Sequence, residues 1–536
     1  MHGHLAAIAD MTTARPLRPS KLPRWRAGLL AALLALSGPL APPVAAQSLP
    51  ALGDGVEVSM ASERRLGDRI ATDIYRNPAW LDDAVLGDYL QAIWQPLMQA
   101  ALRRGDLSAE LQERFAWQLF LVRDRSVNAF ALPGGYLGVH TGLIAAVSTA
   151  DELAAVLAHE LSHVTQRHIA RIFTQQQNMA PWMMAAMILG VMAAISSPDA
   201  ASAAIVGGQA VAAQGQLNFS RDMEREADRV GFGILLEAGF GSEGAAAMFE
   251  KLQQASRFND NGAFPYLRSH PLTSERIAEA RTRQQSGSAG AAPRTAPHTA
   301  LPNLARHAMM GGRARVLGDS SPDALQTRLD QARDLRADAS PEQRLSVLYA
   351  ATLAAARLRQ APLARDLLGQ LMALAAGQPQ VGQAARLLAI EVDALLGDAS
   401  QAATRVSWSS PVTRAELLVQ GQVLVQAGRP EQASERLQSW VSVHPRDAGA
   451  WALLAQALHA QGQRVQAVRA EAESRSAQFD YQGAVDRLKA AQDLLRSSTS
   501  GVAPANLHIE ASIVDTRARQ MQALLREQML QERTNR

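Results

Sequence analysis

Five residues, His159-Glu160-Leu161-Ser162-His163, restrict this chain more than any other run in it. On an α-helix, positions i and i+4 project from one face, so imidazoles four residues apart can grip one metal ion from the same side. Glu160 then sits about 100° round the helix, where its carboxylate can take a proton from a water activated by that metal. The flanks read as helix: Ser148 offers an N-cap, Asp151 and Glu152 suit a first turn, and a mostly apolar stretch follows over 153–158. A helix this apolar is buried, and two buried histidines beside a buried glutamate are costly without a partner. The bland alternative is a hydrogen-bonded pair of core histidines.

A catalytic zinc takes three protein ligands and keeps one position open, so a further ligand is required. Residues 220–231 read as a second helix whose inner face carries Ala227, Val230 and Ile234, with Glu224 and Asp228 as i,i+4 neighbours at its border. Glu224 fits as the third ligand, and spacing alone leaves Glu226 open too. Asp228 suits a supporting role, accepting the free N–H of a ligand imidazole and fixing its tautomer. An ordinary solvated Arg/Glu face is the alternative for this helix.

Two other segments invite a functional reading. Asn128-Ala129-Phe130-Ala131-Leu132 suits a short strand, broken by Pro133-Gly134-Gly135 before Tyr136 resumes extended character, which makes a hairpin just upstream of the HExxH helix. An exposed edge there could pair with an extended substrate backbone; a purely structural hairpin is the alternative. His270 precedes Pro271, which holds it out of helical geometry at the entry to a helix over 273–283. Its imidazole could polarise an oxyanion or occupy the open zinc position, with Arg276 as a companion; a surface histidine is the alternative. His168 lies nine residues after His159, about half a turn away on the helix wheel, so it faces away from the metal.

With these residues in hand, the sequence resembles the gluzincin peptidases that include HtpX and the CAAX prenyl proteases. The resemblance rests on His159-Glu160-Leu161-Ser162-His163, on Glu224-x-x-x-Asp228 and on Asn128 to Gly135. It implies one zinc ion per chain on His159, His163 and Glu224, a substrate edge at Asn128, Ala129, Phe130, Ala131 and Leu132, and Glu160 as general base. A periplasmic branch of that family joins such a domain to tetratricopeptide-like repeats and sets a His-Pro loop at the zinc, which implies that His270 gates the site as a fourth ligand. The same branch implies unfolded or stalled clients, namely outer-membrane β-barrel precursors at their assembly machinery.

Residues 1–46 carry five Arg or Lys, then an apolar run over 27–36, then Pro42-Pro43-Val44-Ala45-Ala46. This reads as a signal peptide cleaved after Ala46, with Met11 as an alternative start, and it directs the chain to the periplasm. Without cysteine, neither a disulfide nor a cysteine-linked lipid anchor is available. The formal charge of +3 falls to about −1 once five cations and Asp10 leave with the leader, so nucleic-acid binding loses its compositional support. The apolar runs at 182–195 and 200–213 are each short for a bilayer span of about 20 residues. They read as a buried helical hairpin, a lid or a peripheral membrane contact.

The expected architecture is mainly α. An α+β zinc metallopeptidase domain with a small β hairpin or sheet occupies 47–283, a linker 284–302, an α-solenoid of tetratricopeptide-like repeats 303–500, and a C-terminal helix 501–536. Gly428-Arg429-Pro430-Glu431-Gln432-Ala433 aligns with Gly462-Gln463-Arg464-Val465-Gln466-Ala467 at a shift of 34 residues, the tetratricopeptide period. A plain helical bundle is the alternative. The function that follows is a periplasmic zinc endopeptidase acting on misfolded or stalled proteins. Two rival readings are a repeat-based scaffold or chaperone with minor proteolysis, and a membrane-associated peptidase.

Overall fold

The computed structural model describes residues 58–175, 220–257, 265–290, 301–498 and 505–534. The expected leader at 1–46 and the apolar runs at 182–213 lie outside these residues. The first helix, α1 (Met60–Arg76), is capped by Ser59 and buries Leu66, Ile70 and Ile74. α2 (Ala84–Arg104) starts at Asp83, whose side chain accepts the Leu86 amide, and stops at Gly105 in the left-handed conformation. It is the spine of the core, with Tyr89, Leu90, Ile93, Trp94 and Leu97 all buried. After the short α3 (Ala109–Arg114) come β1 (Gln118–Val122), β2 (Ala129–Leu132) and β3 (Tyr136–His140).

The strands lie in the order β1-β3-β2. β2 and β3 form the expected antiparallel hairpin, with Leu132 opposite Tyr136, and Gly134 and Gly135 supply the positive φ of the turn (74° and 85°). β1, which the sequence did not announce, pairs parallel to β3 on the other side. β2 is therefore an edge strand.

After α4 (Thr141–Ala146) comes the HExxH helix, α5 (Ala150–Thr165). Its cap is Thr149, whose hydroxyl accepts the Glu152 amide, not the expected Ser148; the Ser148 amide instead donates to the Glu152 carboxylate at 2.9 Å. Arg167 adopts φ 52°, which stops α5 and starts α6 (His168–Gln175) in a new direction. α7 (Arg221–Glu237) and α8 (Glu243–Arg257) pack against α5, followed by α9 (Tyr266–Ser269) and α10 (Ser274–Gly290). α10 extends through 284–290, so the first part of the expected linker is helical; no proline interrupts it before Pro293. Residues 291–300 are outside the described set.

The rest is a run of helices in which most pack on the next: α11 (Leu304–Gly318), α12 (Pro322–Arg333), α13 (Pro341–Arg357), α14 (Ala361–Ala375), α15 (Pro379–Leu395), α16 (Ala399–Thr404), α17 (Arg414–Gln426), α18 (Pro430–Val443), α19 (Ala448–Ala460), α20 (Arg464–Ala477), α21 (Tyr481–Ser498) and α22 (Ala505–Thr534). Gly397, Gly428 and Gly462 close three of the turns at φ 87°, 72° and 74°. These helices are not separate from the α5 region: α11 packs on α2, α4 and α13. The buried Arg313 of α11 reaches Asp83 (2.6 Å) and Glu391 (2.7 Å), and Arg414 of α17 reaches Asp82 and Asp447 at 2.8 Å each.

Burial alone would raise the Asp83 pKa, but the Arg313 charge and hydrogen bonds more than reverse this and hold it below the usual carboxylate range. A group whose folded pKa is depressed contributes stability above its unfolded value of about 3.9, and that stability is lost as pH falls through the folded value. Asp83→Asn is therefore expected to cost about 3–5 kcal/mol at neutral pH, since it leaves Arg313 short of a partner in the core. Urea unfolding from pH 7 downward checks this. The gap between wild type and variant should narrow below about pH 4.

Candidate metal centre

α5 and α7 meet at Gly231, where a Cβ would stand only 3.0 Å from the Ala158 carbonyl oxygen. This close approach brings Glu224, one face of α7, opposite His159 and His163. Four side chains converge: His159, His163, Glu224 and His270, all buried, with one ligand atom from each within 4.8 Å of the others. His159 Nε2 lies 3.0 Å from His163 Nε2 and 3.3 Å from His270 Nδ1. Glu224 oxygens lie 3.5 Å from each of the first two nitrogens and 2.9 Å from the third. Tetrahedral coordination with bonds of about 2.0–2.1 Å sets ligand atoms about 3.3 Å apart. The cluster is of that size.

Charge gives a second test. Glu160, Glu224 and Asp228 are buried carboxylates, and one guanidinium, Arg276, is buried among them. With the ligand imidazoles unprotonated, as metal binding requires, three negative charges against one positive leave two, the charge a divalent cation neutralises. Both Glu160 oxygens are inaccessible and lack a well-formed hydrogen bond among the described residues, with His270 Nε2 3.3 Å from Oε1. Burial pushes the Glu160 pKa up, against the pull of His270 and His159. Burial would also raise Glu224, but His270 and His159 hold it far below the usual range, so it stays ionised. Burial holds His163 well down and therefore neutral, while Asp228 and Glu224 overcome the burial of His159 and lift it to about 10. The pocket attracts positive charge, as a metal site must.

The supporting residues fall where α7 and α10 cross. Asp228 accepts from His159 Nδ1 at 3.0 Å. Arg276 holds Asp228 with two bonds, Nε to Oδ2 at 2.7 Å and Nη2 to Oδ1 at 2.8 Å, and its Nη1 lies 2.8 Å from Glu224 and donates to the Pro271 carbonyl. Tyr266 stacks on the His270 ring, centroids 4.5 Å apart.

Of the residues singled out in the sequence, His159, Glu160, His163, Glu224, Asp228, His270 and Arg276 are thus brought together. Asn128, Ala129, Phe130, Ala131 and Leu132 are not in the cluster; they form or adjoin β2, which packs on α5 and turns the Ala131 amide toward Glu160. Glu226 points elsewhere, to His168 and Arg171. His168 corrects the helical-wheel expectation. The helix ends at Thr165, and after the left-handed Arg167 the chain returns the His168 ring to the His163 Nδ1 atom at 2.9 Å. No glycine or proline marks that break, and Tyr266 likewise had no signal in the sequence.

Two imidazoles of an HExxH helix, a glutamate from a second helix and a buried glutamate beside them define a metallopeptidase centre. Residues 89–284 match peptidase family M48. The chain is 32% identical to the putative beta-barrel assembly-enhancing protease of Vibrio cholerae over 344 residues, covering 63% of this chain and 67% of that one. It is 29% identical to the beta-barrel assembly-enhancing protease of Escherichia coli over 485 residues, 88% and 92% of the two chains. The mitochondrial metalloendopeptidase OMA1 of Arabidopsis thaliana matches at 32% over 167 residues, 31% of each. The chain belongs to peptidase family M48 and is a metallopeptidase.

The contact at Gly231 makes a direct prediction. Gly231→Val should push α7 away from α5, costing about 1–3 kcal/mol, and should lower metal retention. Thermal unfolding and metal content after gel filtration measure the two effects.

Proposed function

We propose that this metallopeptidase is a zinc-dependent endopeptidase of the periplasm that removes misfolded or stalled proteins, outer-membrane β-barrel precursors among them. The observation that carries the reading is the buried convergence of His159, His163 and Glu224 around one point, with Glu160 beside it. The donor set fits zinc, which supplies Lewis acidity and a water acidified to about neutral pH. Glu160 takes the proton from the attacking water and hands it to the leaving amine; its raised pKa suits a group that must both accept and donate. Asp228, clamped by Arg276, keeps His159 in the tautomer that offers Nε2.

His270 is assigned the gate. Its Nδ1 lies among the ligand atoms while its Nε2 faces Glu160, so the ring occupies the space a scissile carbonyl needs. Substrate enters along the open edge of β2, where Asn128 to Leu132 offer backbone groups to an extended chain without demanding a side-chain sequence. The buried Oδ1 of Asn128, which lacks a hydrogen-bond partner among the described residues, supports that placement.

Residues 303–500 are read as tetratricopeptide-like repeats and 501–536 as their terminal helix. The support is the succession of helix hairpins and the positive φ at both Gly428 and Gly462, one repeat apart. The repeats would dock clients or the β-barrel assembly machinery, in keeping with the names of the Vibrio and Escherichia relatives. Periplasmic location rests on the signal-like residues 1–46 together with those names. No helix among the described residues is long and apolar enough to cross a membrane.

Zinc content and casein cleavage test the reading. Glu160→Gln should keep stoichiometric zinc yet lose at least about 10²–10⁴-fold in cleavage rate. Wild-type protein without stoichiometric zinc would sink the proposal. A second expectation concerns the gate: His270→Ala should raise basal casein cleavage, whereas a loss equal to that of Glu160→Gln would make His270 essential to the chemistry instead.

A further inference from the structure

We infer that His168, backed by Glu226, positions the metal ligand His163. The inference rests on the metal-site reading above and extends it to residues that it leaves unused. His163 turns Nε2 into the ligand cluster, so the proton of its neutral ring belongs on Nδ1. That N–H needs an acceptor in a fully buried place, and His168 Nδ1 lies 2.9 Å from it. For His168 Nδ1 to accept, its own proton must sit on Nε2, which lies 3.1 Å from Glu226 Oε2. Arg171 in turn donates to the same carboxylate oxygen at 2.7 Å.

Each step fixes the tautomer of the one before, and the chain of bonds runs from the cluster to the protein surface. His168 has no exposure, while Glu226 and Arg171 are partly exposed. The two ligand imidazoles are therefore held by different means. His159 is held by a carboxylate, Asp228, locked by Arg276; His163 is held by a second imidazole that spans the distance to a carboxylate on α7.

This arrangement also accounts for the break after α5. A helix continued through Gln166 and Arg167 would carry residue 168 to the far side, whereas the left-handed Arg167 returns it to His163. Arg167 is held there by the buried Glu63, 3.3 Å away. His168 and Glu226 touch neither substrate nor reacting atoms, so both are positioning residues.

The test is zinc affinity in the full chain, read by competition against a chromogenic chelator, with the unfolding midpoint of the zinc-free form as the control for folding. His168→Phe fills the same space but cannot accept, and should weaken zinc binding about 10–100-fold. His168→Gln, which keeps an acceptor and a donor, should recover most of that loss, and Glu226→Gln should weaken binding by about tenfold. Zinc affinity within about twofold of wild type in both His168→Phe and Glu226→Gln overturns the inference. Should His168→Phe fail to fold, Glu226→Gln, at a partly exposed position, decides by the same threshold. The two readings fail separately: wild type that binds no zinc removes the metal site and the relay together, while normal wild-type binding with unaffected variants removes the relay alone.

Discussion

The pair of bonds between Arg276 and Asp228 is the interaction on which the site depends, because it allows several like charges to be buried together. A carboxylate taken out of water costs several kcal/mol unless it is paired and its lone pairs are used. Asp228 meets that condition with two donors from Arg276 and one from His159. The same guanidinium lies against Glu224 and donates to the Pro271 carbonyl, so a single cation joins α7, α10 and the loop that carries His270. A lysine could not take this place; it has no planar fork with which to hold a carboxylate by two bonds.

The geometry around this pair needs two helices nearer than usual. Gly231 lets the α7 backbone touch α5 at Ala158, one residue before the first histidine. The glycine thus acts on the metal centre through distance, although it bears no functional group.

Helical spacing made much of the centre legible. The i,i+4 relation fixes His159 with His163 and Glu224 with Asp228, and Pro271 marks His270 as a residue held outside a helix. Spacing on one helix says nothing about a partner helix, which is why Glu224 and Glu226 could not be separated by residues alone. His168 was misread because the wheel assumes a continuous helix, and the break is made by an arginine in the left-handed conformation, a state supported by tertiary contacts such as those to Glu63 and the Val58 carbonyl, which local sequence does not announce. β1 was missed for a similar reason: five residues with one partner strand carry too little alternation to stand out. The helical start of the expected linker shows the opposite failure. Gln, Ser, Gly and Ala suit a linker by composition, but without proline nothing stops α10 before Gly290.

The helices from α11 onward and the metal centre share one element, α2. Asp82, Asp83 and Asp88 lie at its start: Asp83 caps the helix and binds Arg313, Asp82 binds Arg414, and Asp88 accepts the Ala415 amide. Further along, α2 packs on α5 and α7, which carry the ligands. The buried Arg313 with Asp83 and Glu391 makes this junction fixed rather than sliding, since separating it would expose unpaired charge in the core. A gate, by contrast, must sit on something that can move without breaking such a junction. His270 meets that requirement. Its ring is held by stacking on Tyr266 and by contacts to Glu160 and the ligand atoms, all of which an entering peptide could replace, while the Arg276 clamp next to it stays closed on Asp228. Under the proposed gating role, the centre separates what must stay fixed, His159 and His163, from the His270 ring, whose withdrawal would admit substrate.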